Sequence, residues 1–161
     1  ITIFTGHRKL KKGVIEILEA LSRHDVILST GHLSQDEIVV LVREAIKRKI
    51  KKILVTHPDH FFIQMPVKMQ KDLAAKRVLF DRCFPTPRTS PLTMEEMAKR
   101  IREVGVSSSV LTSDFGQPEN PFPVEGLKIY IQKLIQQGFS NQEIDQMARI
   151  NPGRLLSLVK D

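Results

Sequence analysis

Short apolar runs alternate along this chain with amphipathic stretches of helical period. Lys12 to Arg23 sets Val14, Ile15, Leu18 and Leu21 at helical spacing, and the run Val26–Ser29 after it reads as a strand. Ser34-Gln-Asp-Glu37 has the form of a capping box, in which side chains at the first and fourth positions satisfy free backbone donors. It opens a predicted helix to about Lys49, with Ile38, Leu41, Val42 and Ala45 as the buried stripe. The strand Lys52–Thr56 follows, then a helix from about Pro66 to Ala75 and a brief strand Val78–Phe80. A loop rich in Pro and Thr, Phe84 to Pro91, leads to a second capping box, Thr93-Met-Glu-Glu96. The helix it starts ends at Gly105, and Ser109–Thr112 is the next strand. Glu125 to Gln137 is helical and stops at Gly138; Ser140 caps another helix, and Asn151-Pro152 opens a short last one. Such alternation predicts parallel strands joined by right-handed crossovers.

Three of the strand-like runs end on polar residues of metal-binding type. Val26 to His32 and Ile53 to His57 end on histidine, and Val110 to Asp114 ends on aspartate. In parallel α/β folds the strand C-termini and the loops after them form the functional rim. Four β/α units are half of an eight-stranded barrel. An open sheet with helices on both faces is the alternative, but no phosphate-binding Gly-x-Gly-x-x-Gly turn or P-loop is present. Barrels also gather site residues from several strands, so the expected fold class is α/β, half of a TIM-type barrel with extra C-terminal helices. Its inward face would draw on Ile27, Val55 and Leu111.

Composition narrows the class. At 161 residues and 41% hydrophobic content, the chain suits one domain with an adequate core. There is no run of 18 apolar residues, so no membrane partner is expected. The single cysteine, Cys83, forms no internal disulfide and fits a reducing cytoplasm. The net charge of +7 lies largely in Arg8–Lys12 and Arg43–Lys52. The second cluster covers the end of a predicted helix, where cations complement the helix dipole. A polyanion surface is the other reading, but single-strand binders also need stacking aromatics; with no Trp and one Tyr, no nucleic-acid partner is expected. The chain opens on Ile1, inside the strand-like run Ile1–Thr5, and so reads as a piece of something longer.

Thr30-Gly-His-Leu-Ser34, Val55-Thr-His-Pro58, Thr112-Ser-Asp-Phe-Gly-Gln117 and Asn151-Pro-Gly-Arg-Leu-Leu156 together resemble the C-terminal half of the amidohydrolase superfamily. They look most like an uncharacterised amidohydrolase-related branch, over nearly the whole chain from about Lys12. The resemblance implies strands 5–8 of a (β/α)8 barrel, with His32 on the fifth strand, His57 on the sixth and Asp114 on the eighth as metal ligands. The family's first-strand His-x-His pair occurs nowhere in the chain, which would supply only part of the metal shell.

The implied activity is metal-dependent hydrolysis of a small-molecule substrate, with a divalent metal, expected to be zinc. Zinc takes imidazole nitrogen at ~2.0–2.1 Å and lowers the pKa of its bound water to about 7, giving a hydroxide that attacks a carbonyl or phosphoryl centre. Asp114 would be both ligand and general base. Bland readings stand beside these: His32 as a loop histidine beside Gly31, His57 as a core histidine bonded to backbone, and Asp114 as a turn residue. His60 sits three residues after His57, but Pro58 makes the helical spacing of a metal pair doubtful, and a substrate-facing rim position is favoured. Gln117 and Asn120, in the loop after the last strand, are substrate-contact candidates. Asp81, near the end of its strand, could reach the site, with a surface ion pair the favoured reading; Cys83 has no clear basic partner in sequence, and His7 and His24 read as surface positions. A barrel scaffold or binding domain that has lost the metal is the non-catalytic alternative. Two open sheet edges would leave the segment, on its own, to pair with a second copy as a homo-oligomer or to aggregate.

Overall fold

The computed structural model describes residues 2–86 and 89–159. Its centre is a four-stranded, wholly parallel sheet in the order β1-β2-β3-β4, with β1 at Leu28–Ser29, β2 at Ile53–Val55, β3 at Leu79–Cys83 and β4 at Ser109–Thr112. Helices α1 (Lys12–Leu21), α2 (Gln35–Lys47), α3 (Val67–Ala74) and α4 (Met94–Val104) precede the strands in turn, and α5 (Pro123–Gln136) follows the last. The chain is mixed α/β, and no helix among the described residues is long and apolar enough to cross a membrane.

Local chemistry sets the helix ends. Glu37 accepts a hydrogen bond from the Ser34 amide at 3.1 Å, Glu96 from that of Thr93 at 2.7 Å and Glu143 from that of Ser140 at 2.8 Å. Each satisfies a donor that a helix start leaves free. The predicted α2 stripe of Ile38, Leu41, Val42 and Ala45 is buried throughout.

The two faces of the sheet differ. The strand register puts Leu28, Ile53, Val55, Phe80, Arg82, Ser109 and Leu111 on one face, and all seven are buried. Leu28, Ile53, Val55 and Phe80 pack with α1, α2 and α3, and Leu111 packs with α4, α5 and α6 (Asn141–Asp145). The opposite face carries Ser29, Leu54, Leu79, Asp81, Cys83, Val110 and Thr112. Ser29 is exposed, and Leu54, Leu79, Cys83 and Thr112 are only half-buried. Val55 and Leu111, expected on the inward face, therefore lie against the helices; the alternation of a strand puts Leu54 and Val110 on the open side instead.

Other expectations need correcting. The opening run is not a strand: Ile1 lies outside the described residues, and Phe4 makes only an isolated antiparallel bridge to Leu10. Glu37 ties this segment to α2 by accepting from the Thr2 hydroxyl and the Ile3 amide. Pro87 and Arg88, in the loop before α4, also lie outside the described residues. Strand β3 runs to Cys83 rather than Phe80, because its register with β4 is carried by Phe80, Asp81, Arg82 and Cys83. The last two helices form one near-continuous run, α6 and then α7 (Asn151–Leu155) through a π turn at Gln146–Ile150. Pro152 lacks the amide an α-turn requires, and the wider turn absorbs that loss. Buried Asn151 donates to the carbonyls of Val106 at 2.9 Å and Ser109 at 2.6 Å, fixing the terminal helix to the start of β4.

Gly126 lets α5 reach the segment after β4. A Cβ at this position would lie 2.1 Å from the Phe115 ring. Gly126→Ala should therefore cost ~1–3 kcal/mol by overpacking and disturb the turn that carries Asp114. Gly13→Ala, with open space around its Cβ on α1, should be neutral or stabilising. Urea unfolding of the two variants checks this, and equal midpoints would remove the constraint.

Candidate metal centre at the strand C-termini

Parallel strands end on one rim, and the chain turns sharply there after β1, β2 and β4. Gly31, next to His32, has φ +60°, His57 has φ +46° and Asp114 has φ +55°. Histidine and aspartate tolerate this left-handed region better than most side chains, yet a non-glycine residue there costs of the order of 1–3 kcal/mol. Hydroxyls stitch the rim together. Thr30 Oγ1 accepts from the Thr56 amide and Thr56 Oγ1 from the Gly31 amide, both at 3.0 Å.

Below the rim, on the open face, four side chains form a network. The Nδ1 of His57 lies 3.0 Å from an Asp81 carboxylate oxygen and 2.8 Å from the Cys83 sulfur. Thr112 donates to the other Asp81 oxygen, and its hydroxyl is 3.0 Å from Cys83 Sγ. Asp81 is buried, so its charge acts through little solvent. Its hydrogen bond raises the His57 pKa above the usual 6.5, against an opposing pull from burial. Burial, and then the Asp81 charge, push the Cys83 thiol far above its ordinary range, so the group is a neutral thiol rather than a nucleophile.

The ligand atoms of His57, Cys83 and Asp114 all lie within 4.8 Å of one another, a spacing suited to a cation. His32 is exposed on the same rim, its ring centroid 5.2 Å from that of His57. His60 completes a triangle of imidazoles, 6.0 Å from His32 and 6.2 Å from His57. Its ring stacks on Phe61 and Phe62, with centroids at 4.5 and 4.8 Å. Burial, then the imidazoles of His57 and His32, lower the pKa of His60, which favours its neutral form.

The structure thus brings His57 and Asp114 into one group, with His32 and His60 beside them. Gln117 and Asn120 instead bond to each other in the loop before α5. Asp81 is not a surface ion pair but a buried partner of His57, and Cys83 does have a basic neighbour, in space rather than in sequence. The Arg43–Lys52 cations are partly paired: Lys47 and Arg48 with Glu44, Arg48 also with Glu19, and Lys52 with Asp25. Sequence reasoning also passed over Asp59, which accepts from Arg82 at 2.6 Å, Arg100 at 2.8 Å and Gln70 at 3.2 Å. The pattern Leu79-Phe-Asp-Arg-Cys83, read at period two, was the available signal for Asp81 and Cys83.

The chain belongs to a family described as a family of unknown function (DUF6282), which matches residues 1–81. The match contains His32, His57 and Asp81 and ends before Cys83 and Asp114. No curated protein and no solved structure matches the chain.

Because the folded His57 is raised, its ion pair with Asp81 adds stability below the ordinary pKa of 6.5, and that contribution is lost as pH rises through the folded value. In metal-free protein, Asp81→Asn should lower the His57 titration midpoint, read by NMR of the imidazole protons. It should also flatten the fall of stability as pH rises above the ordinary histidine pKa of 6.5. An unmoved midpoint would show that Asp81 is not the dominant partner.

Proposed function

We propose that this chain is the C-terminal half, strands five to eight, of a (β/α)8 barrel, and that it contributes His32, His57 and Asp114 to the metal centre of an amidohydrolase-type hydrolase. The observation that carries the reading is a sequential parallel sheet with one helix-covered face and one partly open face, whose C-terminal rim gathers imidazoles and a carboxylate. A doubly wound sheet reverses its strand order and covers both faces. Here order and coverage both favour a curved sheet whose open face would become a barrel interior.

The donor chemistry fits a divalent metal, zinc in particular: imidazole nitrogen and carboxylate oxygen lie close together, with a carboxylate behind one imidazole. When bound, such an ion supplies a water acidic enough to be hydroxide at neutral pH. Asp81, 3.0 Å from His57 Nδ1, fixes the orientation of the ring for ligation. Asp114, half-buried on its left-handed turn, holds the position of a ligand and of a base that takes a proton and returns it to a leaving group. Neutral His60 faces a small-molecule substrate from the rim, and Gln117 and Asn120 offer amide groups from the loop after β4. A cytoplasmic setting suits the reduced Cys83. The non-catalytic scaffold draws on one observation of its own: at 2.8 Å, Cys83 and His57 already satisfy each other without an ion.

Metal analysis of the protein carrying this chain separates the two readings. The hydrolase reading expects a bound divalent ion whose removal by chelator lowers the melting temperature; saturation at a hundred times the dissociation constant is worth ~2.7 kcal/mol. His57→Ala should weaken binding beyond the ~10–100-fold typical of outer-shell partners, and His60→Ala by less than that. Metal content and melting temperature both indifferent to chelator would leave the scaffold.

A half-barrel also has two unpaired edges, β1 and β4. Expressed alone, these 161 residues should sediment as a dimer or larger species, because a second copy covers the open face. A cooperatively unfolding monomer would refute the half-barrel.

A further inference from the structure

We propose that Cys83 is itself a metal ligand, so that the centre is built on His57, Cys83 and Asp114 and is selective for a thiolate-binding ion such as zinc over manganese or magnesium. The inference rests on the metal-centre reading above and changes its donor set, since the resemblance implies only nitrogen and oxygen ligands.

The geometry singles out this trio. The three residues come from the ends of three adjacent strands, β2, β3 and β4, and their ligand atoms lie within 4.8 Å of one another. His32, the ligand the sequence suggested in this place, is exposed and stands outside that group. Donors that share a zinc ion at about 2.0–2.3 Å each lie within about 4.6 Å of one another, a spacing this trio approaches.

The surroundings of the sulfur also suit a ligand better than a packing residue. Cys83 is the last residue of β3 and lies on the open face of the sheet, outside both apolar clusters. Its neighbours are polar: His57 at 2.8 Å, Thr112 at 3.0 Å and Asp81 at 3.5 Å. A cysteine used only for packing needs no such shell. Here Asp81 orients the imidazole, and the Thr112 hydroxyl, which donates to Asp81, holds that carboxylate beside the sulfur. Metal binding exchanges the S–H bond for a metal–sulfur bond, and the proton leaves to solvent; no oxidant or reductant is involved. Thiolate is a soft donor and binds zinc or cobalt far better than the oxygen-preferring manganese and magnesium.

The test uses the whole metal-free protein titrated with Co2+, with X-ray absorption of its Zn2+ form as a measurement that needs no variant. The expected result is a sulfur-to-cobalt charge-transfer band in the near ultraviolet at one equivalent, and a sulfur neighbour at ~2.3 Å from zinc. Cys83→Ser should abolish both and weaken Zn2+ beyond the ~10–100-fold of an outer-shell loss, while changing Mn2+ affinity little. Stoichiometric zinc in a purely nitrogen and oxygen shell would overturn the role of Cys83 and leave the metal centre standing. A sulfur signal that survives Cys83→Ser would overturn it too. Failure to bind either ion would overturn both readings.

Discussion

A buried arginine holds this structure together at the point where its parts meet. Arg82 lies on the helix-covered face of β3, fully buried, in a position a strand of this kind usually gives to valine or isoleucine. Its charge is met by Asp59 at 2.6 Å, its Nε reaches Ser109 on β4 at 3.3 Å, and Phe80 lies 5.3 Å below the guanidinium. Asp59 is also bound by Arg100 from α4 and Gln70 from α3, and its carbonyl accepts from Ser90. One residue thus ties together two helices, a strand and two loops, between the apolar cluster built on α1 to α3 and that built on α4 to α6. An ion pair of this depth contributes little net stability, but losing one partner strands the other at about 3–5 kcal/mol. Its value is in fixing an arrangement.

That arrangement serves the rim. Asp59 lies two residues beyond His57, so anchoring Asp59 also anchors the turn in which His57 sits at positive φ. The strain at His57 and Asp114 is held from both sides: by Asp59 behind the first, and by Phe115 wedged against Gly126 behind the second. With both turns braced, the side chains face one another over the open side of the sheet. A carboxylate on that side, Asp81, then sets the electrostatic character of everything near it.

The legible part of the fold was whatever local chemistry decides. Three capping boxes, the α2 stripe and the limits of β4 could be read from residue type and spacing, because backbone satisfaction and helical period are short-range effects. Illegible were the features decided by partners distant in sequence. Strand β3 looked finished at Phe80 because Asp81 and Arg82 are poor strand formers. In the fold each has a partner 23 to 31 residues away, Asp59 and His57 on one side and Thr112 on the other. Val55 and Leu111 could be placed on strands but not on a face, since the inward direction is fixed only once the helices settle. At the rim, His32, His57 and Asp114 stood out because each closes an apolar run. Cys83 did not, since its meaning lies in the imidazole 2.8 Å away.

The open face gains its meaning from this contrast. A sheet covered on both sides would have no use for Ser29, Thr56, Asp81, Cys83 and Thr112, and burying them would require a partner for every polar atom. Left half-open, the same residues form a shallow polar floor beneath the rim. Asp81 and Asp114 lift His57, and both also disfavour loss of the Cys83 proton. The floor therefore holds its protons on His57 and Cys83. Asp81 and Asp114 make the floor a negative well, and the half-open face of the sheet brings that well to the rim.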